Sequence, residues 1–218
     1  MELIVRALGQ QDYVETWQAM KRFVDTRSDD ALDEIWLLEH PPVYTQGLNG
    51  RAEHIIDPGG IPVVGADRGG QVTYHGPGQL IVYTMIDLQR KRLGVRRLVS
   101  ALEAATVGVL KQYGLTAKSR HDAPGVYIDD AKIASVGLRI RRGCSYHGLS
   151  LNVCMDLAPF SGIDPCGFSG LRMTQLSDLV GPIAVHEVTI PLIGQLMDVL
   201  DYTELVAAQS AAAVVAGS

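Results

Sequence analysis

Two periods of apolar spacing run along this 218-residue chain. "ELIVRAL" near the start reads as a strand. In "DYVETWQAMKRFVDTR", Val14, Trp17, Met20 or Lys21, and Val24 recur at helical spacing. Asp12, followed three residues later by Glu15, supplies a capping box with Asp in the Ser/Thr role. "DEIWLLEH" is a short apolar strand, ended by Pro41–Pro42 because proline offers no ladder donor. "VYTQG" resumes an extended path, residues 48–60 are loop-like, and "IPVV" is a further strand. Residues 68–88 read as strand, glycine-rich turn, strand. Residues 95–113 form a helix whose stripe is Leu98, Leu102, Ala105, Val109 and Leu110, with Gly114 as its stop. "GVYIDDAKIASVGLRI" predicts a hairpin turning at Asp129–Asp130, and "RRGC" a second turn. "SYHGLSLNVCMDL" then places Leu149, Leu151, Val153 and Met155 on one face, with a period of two. After an irregular stretch at 156–173, "TQLSDLV" and "VTIPLIGQLMDVL" read as closing helices, with Pro191 early in the second. Antiparallel-looking strands mixed with separate helices predict an α+β fold rather than a doubly wound parallel sheet.

Composition narrows the class. Apolar residues make up 47% and charged residues 20%, a globular profile. One domain over 1–205 is expected, with a low-complexity tail at 206–218. The net charge of −5 gives no reason to expect nucleic-acid binding. No apolar run is long enough for a membrane helix and the N-terminus lacks an apolar signal region, so a cytoplasmic location is expected. Three cysteines fit free thiols better than a disulfide framework there.

Chemistry-bearing residues concentrate in a few stretches. "RGGQVTYHGPGQLIVY", residues 68–83, sets Arg68, Thr73, His75 and Gln79 among four glycines. It is either a hairpin needing Gly-Pro-Gly at its turn or a site where a ligand approaches bare backbone. There Arg68 offers a fixed charged fork and His75 can hold or pass a proton. Lys132, in "DDAKIASVG", reads on its own as a surface lysine unless an anionic partner lies near. "SYHGLSLN", with His147, is by itself an ordinary strand. Cys166, in "GIDPCGFSG", is mounted on a turn between Pro165 and Gly167, and a neighbouring cation would raise its thiolate fraction. Cys144, His147, Cys154 and Cys166 include no Cys-x₂₋₄-Cys pair, which argues against structural zinc. No GxGxxG follows a strand, and neither GxxxxGK[ST] nor G-x-S-x-G occurs, so nucleotide and serine-hydrolase sites lack their cues. "RKRLGVRR" at 90–97 and "RIRR" at 139–142 are basic. They are either solvated surface or a dock for an acidic partner.

Together these stretches resemble the lipoate–protein ligase B family of octanoyl-[acyl carrier protein]:protein octanoyltransferases. Residues 68–83 match its signature R-G-G-x-x-T-[aromatic]-H-x-x-G-Q-x-[aliphatic]-x-Y at every fixed position. "KIASVG", "HGLSLN" and "PCG" follow in family order, and the likeness extends from "EHPPVYTQG" to about residue 180. The resemblance implies a fold like the catalytic core of biotin and lipoate ligases, a mixed and mostly antiparallel sheet flanked by helices with a smaller second sheet. It implies that Cys166 carries the acyl thioester and that Lys132 lowers the thiol's pKa. Acyl-substrate contacts are implied at Arg68, Gly69, Gly70, Gln71, Val72, Thr73, Tyr74 and His75. Further contacts are implied at Ser135, Val136 and Gly137, and at His147, Gly148, Leu149 and Ser150.

The implied reaction moves an octanoyl or lipoyl group from acyl carrier protein to a lysine of a lipoyl domain. Acceptors would be 2-oxoacid dehydrogenases and the glycine cleavage H protein. Such a transfer needs no ATP and no metal. Lys132 or a histidine could serve as base toward the acceptor lysine. The rival readings are an ATP-dependent lipoate or biotin ligase of the same fold, a non-catalytic acyl-binding module, and a cysteine hydrolase.

Overall fold

The computed structural model describes residues 1–120 and 123–206, and at Cys166 the backbone but not the side chain. The expected tail, apart from Val206, lies outside the described residues. In chain order the elements are β1 (Glu2–Gln10), α1 (Tyr13–Thr26), β2 (Asp33–Glu39), β3 (Val43–Gln46), β4 (Val63–Gly65), β5 (Val72–His75) and β6 (Gln79–Met85). They continue with α2 (Val95–Gln112), β7 (Lys118–Ser119), β8 (Gly125–Ile128), β9 (Ala131–Arg141), β10 (Cys144–Asn152), α3 (Leu176–Val180), α4 (Val185–Val199) and β11 (Glu204–Val206).

Eight strands form one sheet in the order β11-β1-β2-β6-β10-β9-β8-β7. β1 pairs in parallel with β2 and β11, and every other pair in this sheet is antiparallel. Its central strands are buried on both faces, which is why "DEIWLLE" is almost continuously apolar. Ile35 and Leu37 of β2 join Leu80 and Val82 of β6 under α2 and α4. Trp36 and Leu38 join Ile81 and Tyr83 under α1, against Ala19, Met20 and Val24. A second sheet, β4-β3-β5, packs Tyr44, Val72 and Tyr74 against Phe160 and Ile163. This is the α+β architecture expected, a mixed and mostly antiparallel sheet flanked by helices with a smaller sheet beside it.

Local chemistry sets the boundaries. Asp12 Oδ1 accepts the N–H groups of Val14 and Glu15 and so caps α1. Asp129 turns the β8–β9 hairpin at φ +50°, and Arg142–Gly143 turn β9–β10 at φ +51° and +77°. Pro191 sits inside α4 rather than at its start. Its missing N–H would free the carbonyl of Glu187, which accepts the Tyr113 hydroxyl at 3.3 Å.

Residues 68–88 are not a hairpin. β5 lies in the small sheet and β6 in the large one, and Gly76–Pro77–Gly78 carries the chain between them. Gly78 has φ +84°, and a Cβ there would lie 2.3 Å from the Cys154 carbonyl oxygen. Only glycine fits this crossing.

Candidate active site

The crossing opens a cleft between the two sheets. Residues 68–73 and 75 form one wall, 135–137 of β9 and 147–150 of β10 the other, and Tyr13, Ile81 and Tyr83 close it. The structure therefore brings together every residue the sequence singled out for acyl contact except Tyr74. Alternation along β5 turns Tyr74 away, into ring contacts with Tyr44 at 5.5 Å and Phe160 at 5.4 Å.

Facing glycines make the wall bare. Gly137 pairs with Gly148 across β9 and β10. A Cβ at 148 would lie 2.0 Å from the Val82 carbonyl oxygen, and one at 137 would lie 3.1 Å from that of Gly69. The 68–70 loop is seated there, its Gly69 N–H donating to the Leu138 carbonyl at 2.9 Å.

Arg68 is nearly buried. Its guanidinium donates to the Thr45 hydroxyl and carbonyl at 2.8 and 2.6 Å and to the Gly69 carbonyl at 2.9 Å. Thr45 Oγ1 also lies 3.3 Å from His75 Nε2, and Gln79 Oε1 lies 2.7 Å from His75 Nδ1. The tautomer follows from the chain of bonds. Asn152 Nδ2 donates to the Thr174 carbonyl, so Asn152 Oδ1 is the acceptor for Gln79 Nε2. Gln79 Oε1 then accepts from His75 Nδ1–H, and His75 Nε2 accepts from Thr45. Burial pushes His75 down to about 3. It is a neutral, fully engaged link, not the mobile proton carrier that its sequence position suggested.

His40 escaped the sequence reading. Its Nδ1 donates to the Gln11 carbonyl at 2.7 Å and its Nε2 accepts the Tyr83 hydroxyl at 2.7 Å. Burial pushes it down to about 4. Both rings thus fold neutral but take up protons near pH 6.5 once unfolded. Their folded values are depressed, so their stabilisation is complete above about pH 6.5 and is lost as pH falls toward 4. For His40 alone the loss is on the order of 3 kcal/mol. Urea midpoints are expected to fall steeply across that window, and a flat profile would refute the assignment of neutral buried rings.

Asp67, also absent from the sequence reading, accepts from Trp17 Nε1 at 2.8 Å, the Tyr146 hydroxyl at 2.6 Å and His147 Nε2 at 2.9 Å. Burial opposes its ionisation, but the bonds from His147 and Tyr146 hold its carboxyl well below the usual carboxylate range. His147 has φ +58°, a strained value for a non-glycine residue inside a strand. The twist interrupts alternation, and neighbouring side chains 146 and 147 reach the same carboxylate.

Lys132 is fully buried, not a surface residue. Its Nζ lies 5.4 Å from the centre of the Tyr127 ring. Its main chain is clasped by the segment after Cys166, with Lys132 N–H donating to the Arg172 carbonyl at 2.8 Å and Thr174 N–H donating to the Lys132 carbonyl at 3.0 Å. Cys166 occupies a short 3₁₀ turn, Pro165–Gly167. A Cβ on Gly167 would lie 2.3 Å from Gln71 Nε2, so this turn abuts the lip of the cleft.

The other two cysteines are not prepared as nucleophiles. Cys144 is buried, its sulfur accepts from Arg27 Nη1 at 2.8 Å, and burial pushes its thiol up to about 11. Cys154 is exposed, and its thiol is also raised by desolvation. Among the described residues no group of three or more His, Cys, Asp or Glu could hold a metal ion, and no helix is long and apolar enough to cross a membrane.

The basic stretch at 90–97 is partly consumed by the fold. Arg90 pairs with Asp33 at 2.6 Å, and Lys91 Nζ lies 3.6 Å from the centre of the Tyr202 ring. Arg92, Arg96 and Arg97 remain exposed.

Residues 12–196 match the family model of the lipoyl protein ligase A/B catalytic domain. An octanoyltransferase of Methylococcus capsulatus is 58% identical over 207 residues, covering 95% of this chain and all of that one. One from Pseudomonas fluorescens is 60% identical, covering 91% of this chain and 93% of that one. Among solved structures, a bipartite lipoate protein ligase from Thermoplasma acidophilum superposes with a TM-score of 0.77 at 18% identity, over 99% of this chain and 91% of that one. Biotin protein ligase from Aquifex aeolicus gives 0.55 at 12% identity, over 92% of this chain and 69% of that one. These two establish likeness of fold.

Proposed function

Because this chain belongs to the lipoyl protein ligase A/B catalytic-domain family and, within it, to the octanoyltransferases, we infer that it moves an octanoyl group onto lipoyl-domain lysines through a cysteine thioester. The donor is octanoyl-acyl carrier protein. The acceptors are lipoyl domains of 2-oxoacid dehydrogenases and the glycine cleavage H protein. The single observation that carries the assignment to specific residues is the cleft whose walls are residues 68–75, 135–137 and 147–150, Tyr74 apart, with the Cys166 turn at its lip.

In this reading the octanoyl chain lies along the bare Gly137–Gly148 wall, where Val136, Leu149 and Ile81 supply apolar surface. Cys166 thiolate attacks the carrier's thioester carbonyl, forming a new thioester and releasing the carrier's thiol. The acceptor lysine amine then attacks that thioester, forming an amide and returning the Cys166 sulfur. Main-chain N–H groups near the glycine turns stabilise the oxyanion. His75 and His40 serve as neutral scaffold, and the base toward the acceptor amine is Lys132 or His147. The exposed Arg92, Arg96 and Arg97 give an acidic carrier or lipoyl domain a complementary surface.

The test is intact mass without nucleotide. Mixing with octanoyl-carrier protein is expected to add one octanoyl group, and adding unmodified lipoyl domain is expected to remove it onto the domain. A requirement for ATP would return the ligase reading, and release of free octanoate in place of transfer would return the hydrolase.

A further inference from the structure

The turn that carries Cys166 faces one polar side chain. A Cβ built on Gly167 would lie 2.6 Å from Gln71 Cδ and nearer still to Oε1 and Nε2. The polar edge of the Gln71 carboxamide is therefore aimed at Gly167, about 4 Å from its Cα, and one trans peptide further lies the Cα of Cys166. Gly167 also has φ +75°. Glycine is required there twice, for the backbone and for the room it leaves to Gln71.

Gln71 is held in place by its main chain. Gly47 N–H donates to the Gln71 carbonyl at 3.2 Å, Asn49 N–H to that of Gly70 at 3.1 Å and Leu48 N–H to that of Arg68 at 3.0 Å. Val72, next in the chain, pairs with Gln46 at the start of β5. The side chain has no such anchor. Its Oε1 is buried and accepts no hydrogen bond from any described residue. Two N–H groups of the facing turn are spent within it, Gly167 on the Asp164 carbonyl at 2.9 Å and Phe168 on the Pro165 carbonyl at 3.2 Å. A buried, unpaired acceptor is costly. This one belongs to a residue that lines the cleft, so its donor comes from a molecule that enters there.

The two substrates differ in what they offer. The reacting end of an octanoyl thioester has a carbonyl and a sulfur but no donor. The acceptor brings an amine, the one reacting group with N–H bonds. We propose that Gln71 binds the acceptor amine, its Oε1 accepting one N–H of the lipoyl-domain lysine and so aiming the nitrogen lone pair at the thioester of acylated Cys166. The proposal rests on the reading of Cys166 as the nucleophile. In this step the nitrogen–carbon bond forms and the carbon–sulfur bond breaks, the sulfur keeping the bonding pair. Of the two amine hydrogens, one passes to the base. The other remains as the N–H of the product amide, and it is this one that Gln71 holds. Gln71 therefore exchanges no proton, and its contribution is orientation of the second substrate.

Steady-state kinetics with one substrate varied at a time separate the two halves of the reaction. In Gln71→Met, a side chain of similar length, kcat/KM for the lipoyl domain is expected to fall at least about tenfold, while kcat/KM for octanoyl-carrier protein stays within about threefold of the parent. Iodoacetamide is expected to label Cys166 at the parent rate, which a displaced turn would not allow. Gln71→Glu keeps acceptor oxygens in the same place and removes the N–H donor, so it is expected to retain most of the acceptor-side kcat/KM. A residue donating to the oxyanion would instead slow both halves in both variants. The proposal is overturned if Gln71→Met slows both halves alike, leaves the acceptor half unchanged or alters the labelling rate. It is equally overturned if Gln71→Glu loses as much on the acceptor side as Gln71→Met. Should Gln71→Met not fold, Gln71→Glu decides alone, retention supporting the proposal and a tenfold loss overturning it. Failure of the nucleophile reading shows separately, as the lack of an octanoyl adduct on the parent protein. The acceptor-side comparison at saturating carrier then still decides the role of Gln71.

Discussion

Cys166→Ser is expected to eliminate the octanoyl adduct seen by intact mass and to lower transfer by on the order of 10⁴-fold. The substitution changes only a sulfur to an oxygen, so it tests chemistry rather than packing. A thiol with an ordinary pKa near 8.5 is already a few per cent thiolate at neutral pH, and a nearby ammonium increases that fraction. A serine hydroxyl has no comparable anionic population. His75 and His40 cannot serve it as base, because His75 has both ring nitrogens committed to Gln79 and Thr45, and His40 has both committed to Gln11 and Tyr83. The remaining cysteines offer no detour, since burial raises Cys144 to about 11 and desolvation also raises Cys154. Thermal stability should stay close to that of the parent. A normal adduct on Cys166→Ser would remove Cys166 from the mechanism.

Local signals made the outer frame legible. Asp12 caps α1 where the sequence placed a cap, and the Asp129 and Arg142–Gly143 turns fall where polar pairs interrupt apolar runs. Pairing across sheets was not legible. The apolar runs on either side of Gly76–Pro77–Gly78 look like two arms of a hairpin, because alternation reports which face is buried but not which strand lies alongside. Tyr74 was carried into the site by its place in a continuous motif, and period-two geometry turns it out. Lys132 reads as exposed from its neighbours alone. Its burial depends on residues 172–174 folding back over it, a long-range contact with no local signature. Asp67, His40 and Glu103 share that invisibility. Each is a polar residue within or beside an apolar run, and only the assembled fold shows what it holds. Glu103 alone carried a warning, an acid one residue past Leu102 on the helix stripe.

Lys132→Met is expected to reduce acyl-enzyme formation by on the order of 10³-fold, within the range for losing a positioned acid–base group. It also separates a catalytic lysine from a structural one. Methionine fills much of the same volume, so the cavity left is small, but the charge is gone. Glu103 of α2, buried and accepting the Gly125 N–H at 2.8 Å, then loses the stabilising field of the Lys132 charge, and removing one partner of a buried pair typically costs about 3–5 kcal/mol. Part of that cost is escaped because Glu103 can take up a proton, so an intermediate loss in urea stability is expected. Adding Glu103→Leu to Lys132→Met should recover most of that stability, since an apolar pair of similar volume suits this core. Activity should not recover. Lys132→Arg keeps a positive charge but must fit a planar fork where even a methyl on Gly125 would collide with the lysine stem, so it too should lose most activity. If the double variant regained both stability and transfer, Lys132 would be a structural charge and the thiol would be activated elsewhere. If it regained stability alone, the buried amine would be serving the chemistry at Cys166.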